Sequence, residues 1–207
     1  MSLIDELISG GPALLDGAWG TELQARGLAV GAVPDLWNLE HADRVAEVAR
    51  AYVDAGSDII LTNTFRANAI ALASHAENLD RVNRVGVEIS KRAAGRRARV
   101  FASIGPSGKR FATRELDESL LRAAFEEQAR ALAAAGADAI VVETMTDLDE
   151  ARVAVEAALA TGLPVVASMV FGSGEQEHGS PTGVTPERAA EVLSRAGADV
   201  IGANCGN

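Results

Sequence analysis

Four side chains that can do chemistry stand at the ends of short apolar runs: Asp16, Asn63, Glu143 and Cys205. A carboxylate at a buried strand end needs a partner, because unpaired carboxylates are rarely buried. Glu143 therefore reads either as a cation-binding group or as half of a structural ion pair. Cys205 is the only cysteine. Taken alone it is an ordinary packed thiol or a metal ligand. Asp16 precedes Gly17 and could cap the turn that glycine makes. Asn63 and its neighbour Thr64 either orient their surroundings or bind a ligand.

A repeat fixes where three of these residues should lie. Ala55-Gly56-Ser57-Asp58 runs into Ile59-Ile60-Leu61 and ends on Thr62-Asn63-Thr64. Ala135-Gly136-Ala137-Asp138 runs into Ala139-Ile140-Val141-Val142 and ends on Glu143-Thr144. Ala196-Gly197-Ala198-Asp199 runs into Val200-Ile201-Gly202-Ala203 and ends on Asn204-Cys205. Each copy reads as a helix stopped by a C′ glycine, then a buried strand, then polar residues at the strand's C-terminal end. A parallel barrel carries its active site at that end.

The elements that must position them alternate. Strands are expected at Ala13–Leu15, Asp58–Leu61, Arg99–Ser103, Asp138–Val142, Val165–Met169 and Asp199–Ala203. Helices are expected at about Thr21–Ala25, His41–Val53, Ala67–Ser74, Leu79–Ala94, Leu116–Ala135, Leu148–Ala160 and from Thr185-Pro186 to Ala196, where threonine caps and proline takes the first helical position. Strands that are continuous apolar runs between helices imply an α/β fold with a parallel sheet covered on both faces. A closed barrel needs eight such units, and six are visible. A doubly wound sheet could be built from six, but Gly17-Ala18-Trp19-Gly20 lacks the G-x-G-x-x-G spacing that cradles a dinucleotide. The preferred reading is the first six units of a (β/α)8 TIM-type barrel. Residues 1–207 then form one C-terminally incomplete domain, completed by a further C-terminal segment or by a partner chain.

Composition narrows the function classes. A formal charge of −10 and the absence of a dense basic patch argue against nucleic acid. The cluster Lys91, Arg92, Arg96, Arg97 and Arg99 sits at the end of an expected helix, where cations suit the helix dipole. A single cysteine fits a reducing compartment, and no apolar run nears the ~20 residues that span a bilayer. The expectation is a soluble, cytoplasmic protein with no membrane partner. His41 and His75 read as capping or surface residues. His178, in the loop Gly172–Gly183, has no second His or Cys at metal spacing. Trp37 reads as packing.

The strand-end segments together resemble the homocysteine-binding domain of the homocysteine S-methyltransferases. They are Leu15-Asp16-Gly17-Ala18-Trp19-Gly20-Thr21-Glu22-Leu23, Asp35-Leu36-Trp37-Asn38-Leu39, Thr62-Asn63-Thr64-Phe65-Arg66-Ala67-Asn68, Ser103-Ile104-Gly105-Pro106-Ser107-Gly108, Val142-Glu143-Thr144-Met145 and Gly202-Ala203-Asn204-Cys205-Gly206-Asn207. The resemblance implies a (β/α)8 barrel that transfers a methyl group to the thiolate of homocysteine, giving methionine, or to a related thiol. It implies zinc at the C-terminal rim, with Cys205 as one ligand. The family's other two ligands, a Cys-Cys pair, have no counterpart in this sequence. Zinc would serve because only the thiolate is a good nucleophile, and a coordinated thiol is deprotonated. The resemblance further assigns Glu143 and Asp16 to the homocysteine ammonium. Gly17 and Ala18 would offer backbone to its amino-acid part, and Asn63 would contact substrate. Trp19 would line the pocket of a cationic methyl donor, whose identity is not readable. The rival is a non-catalytic fragment or pseudoenzyme that binds an amino acid without zinc. A Schiff-base aldolase is disfavoured, since neither lysine, Lys91 nor Lys109, stands at a strand end.

Overall fold

The computed structural model describes residues 1–109, 117–172 and 179–206. His178 and Asn207 lie outside them, as does the expected start of the helix at Leu116. Among these residues five strands form one sheet: β1 (Ile59–Leu61), β2 (Arg99–Ile104), β3 (Ala139–Met145), β4 (Val165–Met169) and β5 (Val200–Ala203). They lie in chain order β1-β2-β3-β4-β5, and every neighbouring pair is parallel. A doubly wound sheet reverses its order at a switch point; this one does not. Among the described residues eight α-helices accompany the strands: α1 (Leu3–Ile8), α2 (Trp19–Ala25), α3 (Trp37–Glu40), α4 (Ala42–Ala55), α5 (Leu79–Ala94), α6 (Glu118–Ala134), α7 (Leu148–Leu159) and α8 (Pro186–Ala196).

Two expected elements come out differently. The strand at Ala13–Leu15 is reduced to one parallel bridge, Leu15 to Ile59. It still runs beside β1, because Leu14 accepts from the amides of Asp58 and Ile59 and Asp16 donates to Ile59. Leu14 and Leu15 are 58% and 43% exposed, so this stretch has one neighbour and little burial to hold it flat. The helix expected at Ala67–Ser74 is a series of turns leading into a 3₁₀ segment, Ala73–Asn78. Asn68 causes the change: its Oδ1 accepts from the amides of Ile70 and Ala71, a local turn that competes with helix.

The Ala-Gly-x-Asp repeat has a physical explanation. Gly56, Gly136 and Gly197 adopt φ of 100°, 92° and 101°, the left-handed turn that stops each helix. The aspartate two residues later reaches back to the preceding strand. Asp58 Oδ2 accepts from Leu14 N at 2.8 Å, Asp138 Oδ2 from Val100 N at 2.7 Å and Asp199 Oδ2 from Val165 N at 2.8 Å. Each repeat therefore sets its own strand against its neighbour, which is what fixes the height of the strand ends.

Strand side chains alternate between faces. Ile60, Val100, Ala102, Ile140 and Val142 pack beneath the helices. Ile59, Leu61, Phe101, Ala139 and Val141 pack together on the other face with Val166 and with Leu3, Ile4 and Leu7 of α1. That inner row continues upward, by the same period of two, through Ser103 and Glu143, and through Ser168 on β4. The core thus ends in a polar layer.

Candidate active site

Burial and hydrogen bonds at this polar layer define the candidate site. Glu143 Oε1 accepts from the Ser103 hydroxyl at 2.5 Å, and Oε2 faces the Asn204 amide nitrogen at 3.4 Å. Burial pushes its carboxyl above the ordinary glutamate range, and the negative charge of Asp16 pushes it further. Asp16 follows the Leu14–Leu15 stretch. Its Oδ2 accepts from Leu61 N at 2.7 Å and from the Trp19 indole at 2.8 Å, while its buried Oδ1 has no hydrogen-bond partner. Burial pushes Asp16 up to about 6 in spite of those two donors. Two desolvated carboxyls, the charge of Asp16 raising Glu143, with no cationic partner for either among the described residues, make a candidate socket for positive charge.

Beside them β3 and β5 end in a strained pair. Thr144 and Cys205 take φ of 58° and 54°, left-handed values that β-branched and other non-glycine residues rarely adopt. Between them lies Asn204. Its Oδ1 accepts from Thr144 N (2.9 Å) and Ser168 Oγ (2.8 Å). Its Nδ2 donates to Thr144 Oγ1 (2.8 Å) and lies 3.4 Å from Cys205 Sγ. Gly206 completes the turn, since a Cβ there would collide with the Phe171 carbonyl. The Cys205 thiol itself is exposed.

The structure sorts the sequence-derived candidates. Asn204 faces both Glu143 and Cys205, and the charge of Asp16 acts on Glu143. Gly17 and Ala18 are exposed beside Asp16, and the Ala18 carbonyl accepts from the Tyr52 hydroxyl at 3.1 Å. Gly17 has little room for a side chain, as a Cβ would approach that hydroxyl to 3.0 Å. Trp19 holds Asp16 through its indole N–H, with its ring 6.5 Å from that of Tyr52. Asn63, expected to contact substrate, is engaged by the protein through its amide nitrogen. It is buried, its amide donates to the Pro34 carbonyl (2.8 Å) and to Asn38 Oδ1 (3.0 Å), and its own carbonyl accepts from Asn38 Nδ2. Those bonds tie the strand end to α3 and to Pro34 just before it, so Asn63 shapes the wall. Ser103, Ser168 and Asn204 had not been singled out, although the inner-face period from Phe101, Val166 and Val200 leads directly to them.

Zinc can be tested against the donor set. A catalytic zinc takes three protein ligands. Cys205 is the only thiol, and among the described residues no three His, Cys, Asp or Glu side chains gather closely enough to hold a metal. Cys205 alone does not make a zinc site.

Known proteins resemble this chain over nearly its whole length. The homocysteine S-methyltransferase family model matches residues 13–207. Methionine synthase of Mycobacterium tuberculosis (strain ATCC 25618 / H37Rv) is 31% identical over 211 residues, covering 92% of this chain and 17% of that protein. Betaine–homocysteine S-methyltransferase 1 of Sus scrofa is 29% identical over 211 residues, covering 98% of this chain and 74% of that protein. Among solved structures, the metallated form of the homocysteine methyltransferase MmuM from Escherichia coli superposes with a TM-score of 0.81 at 23% identity, covering 98% of this chain and 77% of that one. At that identity the likeness is one of fold. The chain spans under a fifth of the mycobacterial relative and about three quarters of the porcine one.

Proposed function

We infer what this chain does from a premise and a socket: it belongs to the homocysteine S-methyltransferase family, and Asp16 and Glu143 form a desolvated anionic pair at its strand ends. The proposed activity is methyl transfer to the thiol of homocysteine. The observation that carries it is the unpartnered, buried Oδ1 of Asp16 beside Glu143. An α-ammonium would bond to both carboxyls, offset their mutual repulsion and hold both ionised. Gly17 and Ala18 leave open surface beside that socket, where the amino-acid part of the substrate can lie against backbone. The substrate's thiol would then extend toward the Cys205 side of the mouth. Trp19, fixed through Asp16, would border the space for a methyl donor.

The sheet reads as part of a (β/α)8 barrel. Its unreversed parallel order and its inner row of side chains support that architecture. The finer chemical reading is zinc-dependent transfer, with Cys205 contributing one ligand. The chain's described residues do not fit a complete zinc site, and the socket for the ammonium does not depend on one. That same observation favours a second reading, an amino-acid-binding protein that works without metal.

Calorimetric titration with homocysteine, with and without added zinc, separates the readings. Binding strengthened by zinc and accompanied by proton release is expected of the methyltransferase. Equal binding in both conditions favours the metal-free binder. No binding in either condition refutes the socket.

A further inference from the structure

We propose that Asn204 is a positioning residue that holds Glu143 and Cys205 at fixed relative places across the mouth. The proposal rests on the reading of Glu143 as a substrate-binding carboxylate and deepens it. One side-chain amide here meets the ends of three strands. The carbonyl half accepts from the backbone of Thr144 after Glu143 on β3 and from Ser168 on β4. The amino half donates to Thr144 Oγ1, and it faces Glu143 Oε2 and Cys205 Sγ, each at 3.4 Å. An amide supplies two donors and two acceptor lone pairs, and this geometry engages both ends.

The backbone supplies an independent argument. Thr144 and Cys205, the residues immediately after Glu143 and Asn204, are the two non-glycine residues with positive φ among the described residues. Such strain persists only where the surroundings over-determine it. Asn204 grips Thr144 at two atoms, its amide and its hydroxyl, and stands directly before Cys205. Without that grip both residues can relax toward ordinary backbone. Relaxation at Thr144 swings the end of β3 that carries Glu143, and relaxation at Cys205 moves the thiol. Asn204 acts through these neighbours, so its effect should be felt in their geometry and in substrate affinity together.

The test uses the whole chain carrying Asn204→Ala, with Asn204→Gln as a second variant. The glutamine keeps the amide but sets it one methylene further out, and it leaves no space empty at a half-exposed position. Three measurements are made: hydrogen exchange of the Thr144 amide, the alkylation rate of Cys205 by iodoacetamide, and homocysteine affinity in a double-mutant cycle with Glu143→Gln. Both variants are expected to raise Thr144 exchange and to change the Cys205 alkylation rate by roughly tenfold. Asn204→Ala should weaken homocysteine binding by about tenfold when Glu143 is present, and by less than about twofold in the Glu143→Gln background. Unchanged exchange and alkylation overturn the proposal. So do losses that multiply independently in the cycle, which would mark Asn204 as a general staple of the fold. Failure of the unsubstituted chain to bind homocysteine would instead reject the substrate reading, while exchange and alkylation still decide whether Asn204 positions the two strand ends.

Discussion

Two regions along the C-terminal edge of this sheet treat their polar residues in opposite ways. After β1, Thr62, Asn63 and Thr64 are all buried and bond into the protein. Thr62 and Thr64 share a hydroxyl–hydroxyl contact, Thr64 Oγ1 lies 2.7 Å from the Ser103 carbonyl, and Asn63 interlocks with Asn38. Asn38 in turn reaches the Val82 carbonyl on α5, whose Gly86 lets the helix come close; a Cβ there would stand 2.6 Å from Thr64 and 2.8 Å from Asn38. After β3 and β5 the polar groups are half-open, the backbone is strained, and Glu143 has no cationic partner among the described residues. The difference teaches that polarity at a strand end does not by itself mark a ligand site. Groups bonded into the protein build the wall; groups with capacity to spare stay available to a ligand.

The saturated end should show the larger effect on stability. Asn38→Ala removes the donor to the Asn63 and Val82 carbonyls and the acceptor for Asn63 Nδ2. Stranding buried polar groups of this kind costs about 3 kcal/mol. For a chain of this size the melting temperature should fall by roughly 6–12 °C, read by circular dichroism. A drop of under about 2 °C would break the contrast between the two ends.

At the open end substitution should affect binding and spare the fold. Glu143→Gln removes one charge-assisted contact, so homocysteine affinity should fall roughly 10–100-fold. Because an amide replaces a desolvated carboxyl, the melting temperature should hold or rise. A variant that unfolds while retaining affinity would show that Glu143 belongs to the wall.

How much of this was legible in sequence follows from the same contrast. The repeat located the strand starts, because glycine stops and strand-clamping aspartates are local devices with local signatures. Glu143 and Cys205 follow strands that the repeat located, whereas Asp16 lies outside the repeat and is tied in through Leu61 N. The partners of Asn63 were not legible, because Pro34 and Asn38 come from a separate helical segment whose approach no strand pattern encodes. Asn204 was overshadowed by the thiol beside it, although the inner-face alternation carries straight to it. The first strand was overestimated because three apolar residues say nothing of how many neighbours they will have.

Acid should sharpen the comparison, since each end holds one aspartate raised to about 6: Asp16 at the open end, and Asp35, which accepts from Arg66 N, at the saturated one. Burial is the leading cause in both. Their pKa values lie above the unfolded value of 3.8, so the native state binds more protons between about pH 4 and 6. Stability should therefore rise as pH falls from 7 to 5, by about 1.4 kcal/mol for each carboxyl. Saturating homocysteine should remove the Asp16 share, because the ammonium favours the ionised form, and leave that of Asp35. Urea denaturation at a series of pH values, with and without homocysteine, reads both shares. An identical slope in the two series would remove Asp16 from the socket.

The smallest effect belongs to Cys205. Its side chain is exposed, and its nearest polar contacts are the long ones to Asn204 at 3.4 Å and Thr144 Oγ1 at 3.9 Å. Cys205→Ala should change stability by less than about 0.5 kcal/mol, as for other surface sites. Homocysteine affinity measured without zinc should also be unchanged, because the amino-acid end of the substrate is held at Asp16 and Glu143. Any zinc bound by this chain should be lost on dialysis, since one thiol leaves most of the coordination to water. Metal analysis after dialysis of the original and substituted chains tests this directly. Stoichiometric zinc retained by the original chain and lost in Cys205→Ala would mean that residues outside the described segments complete the site, and the metal-dependent reading would then overtake the metal-free one.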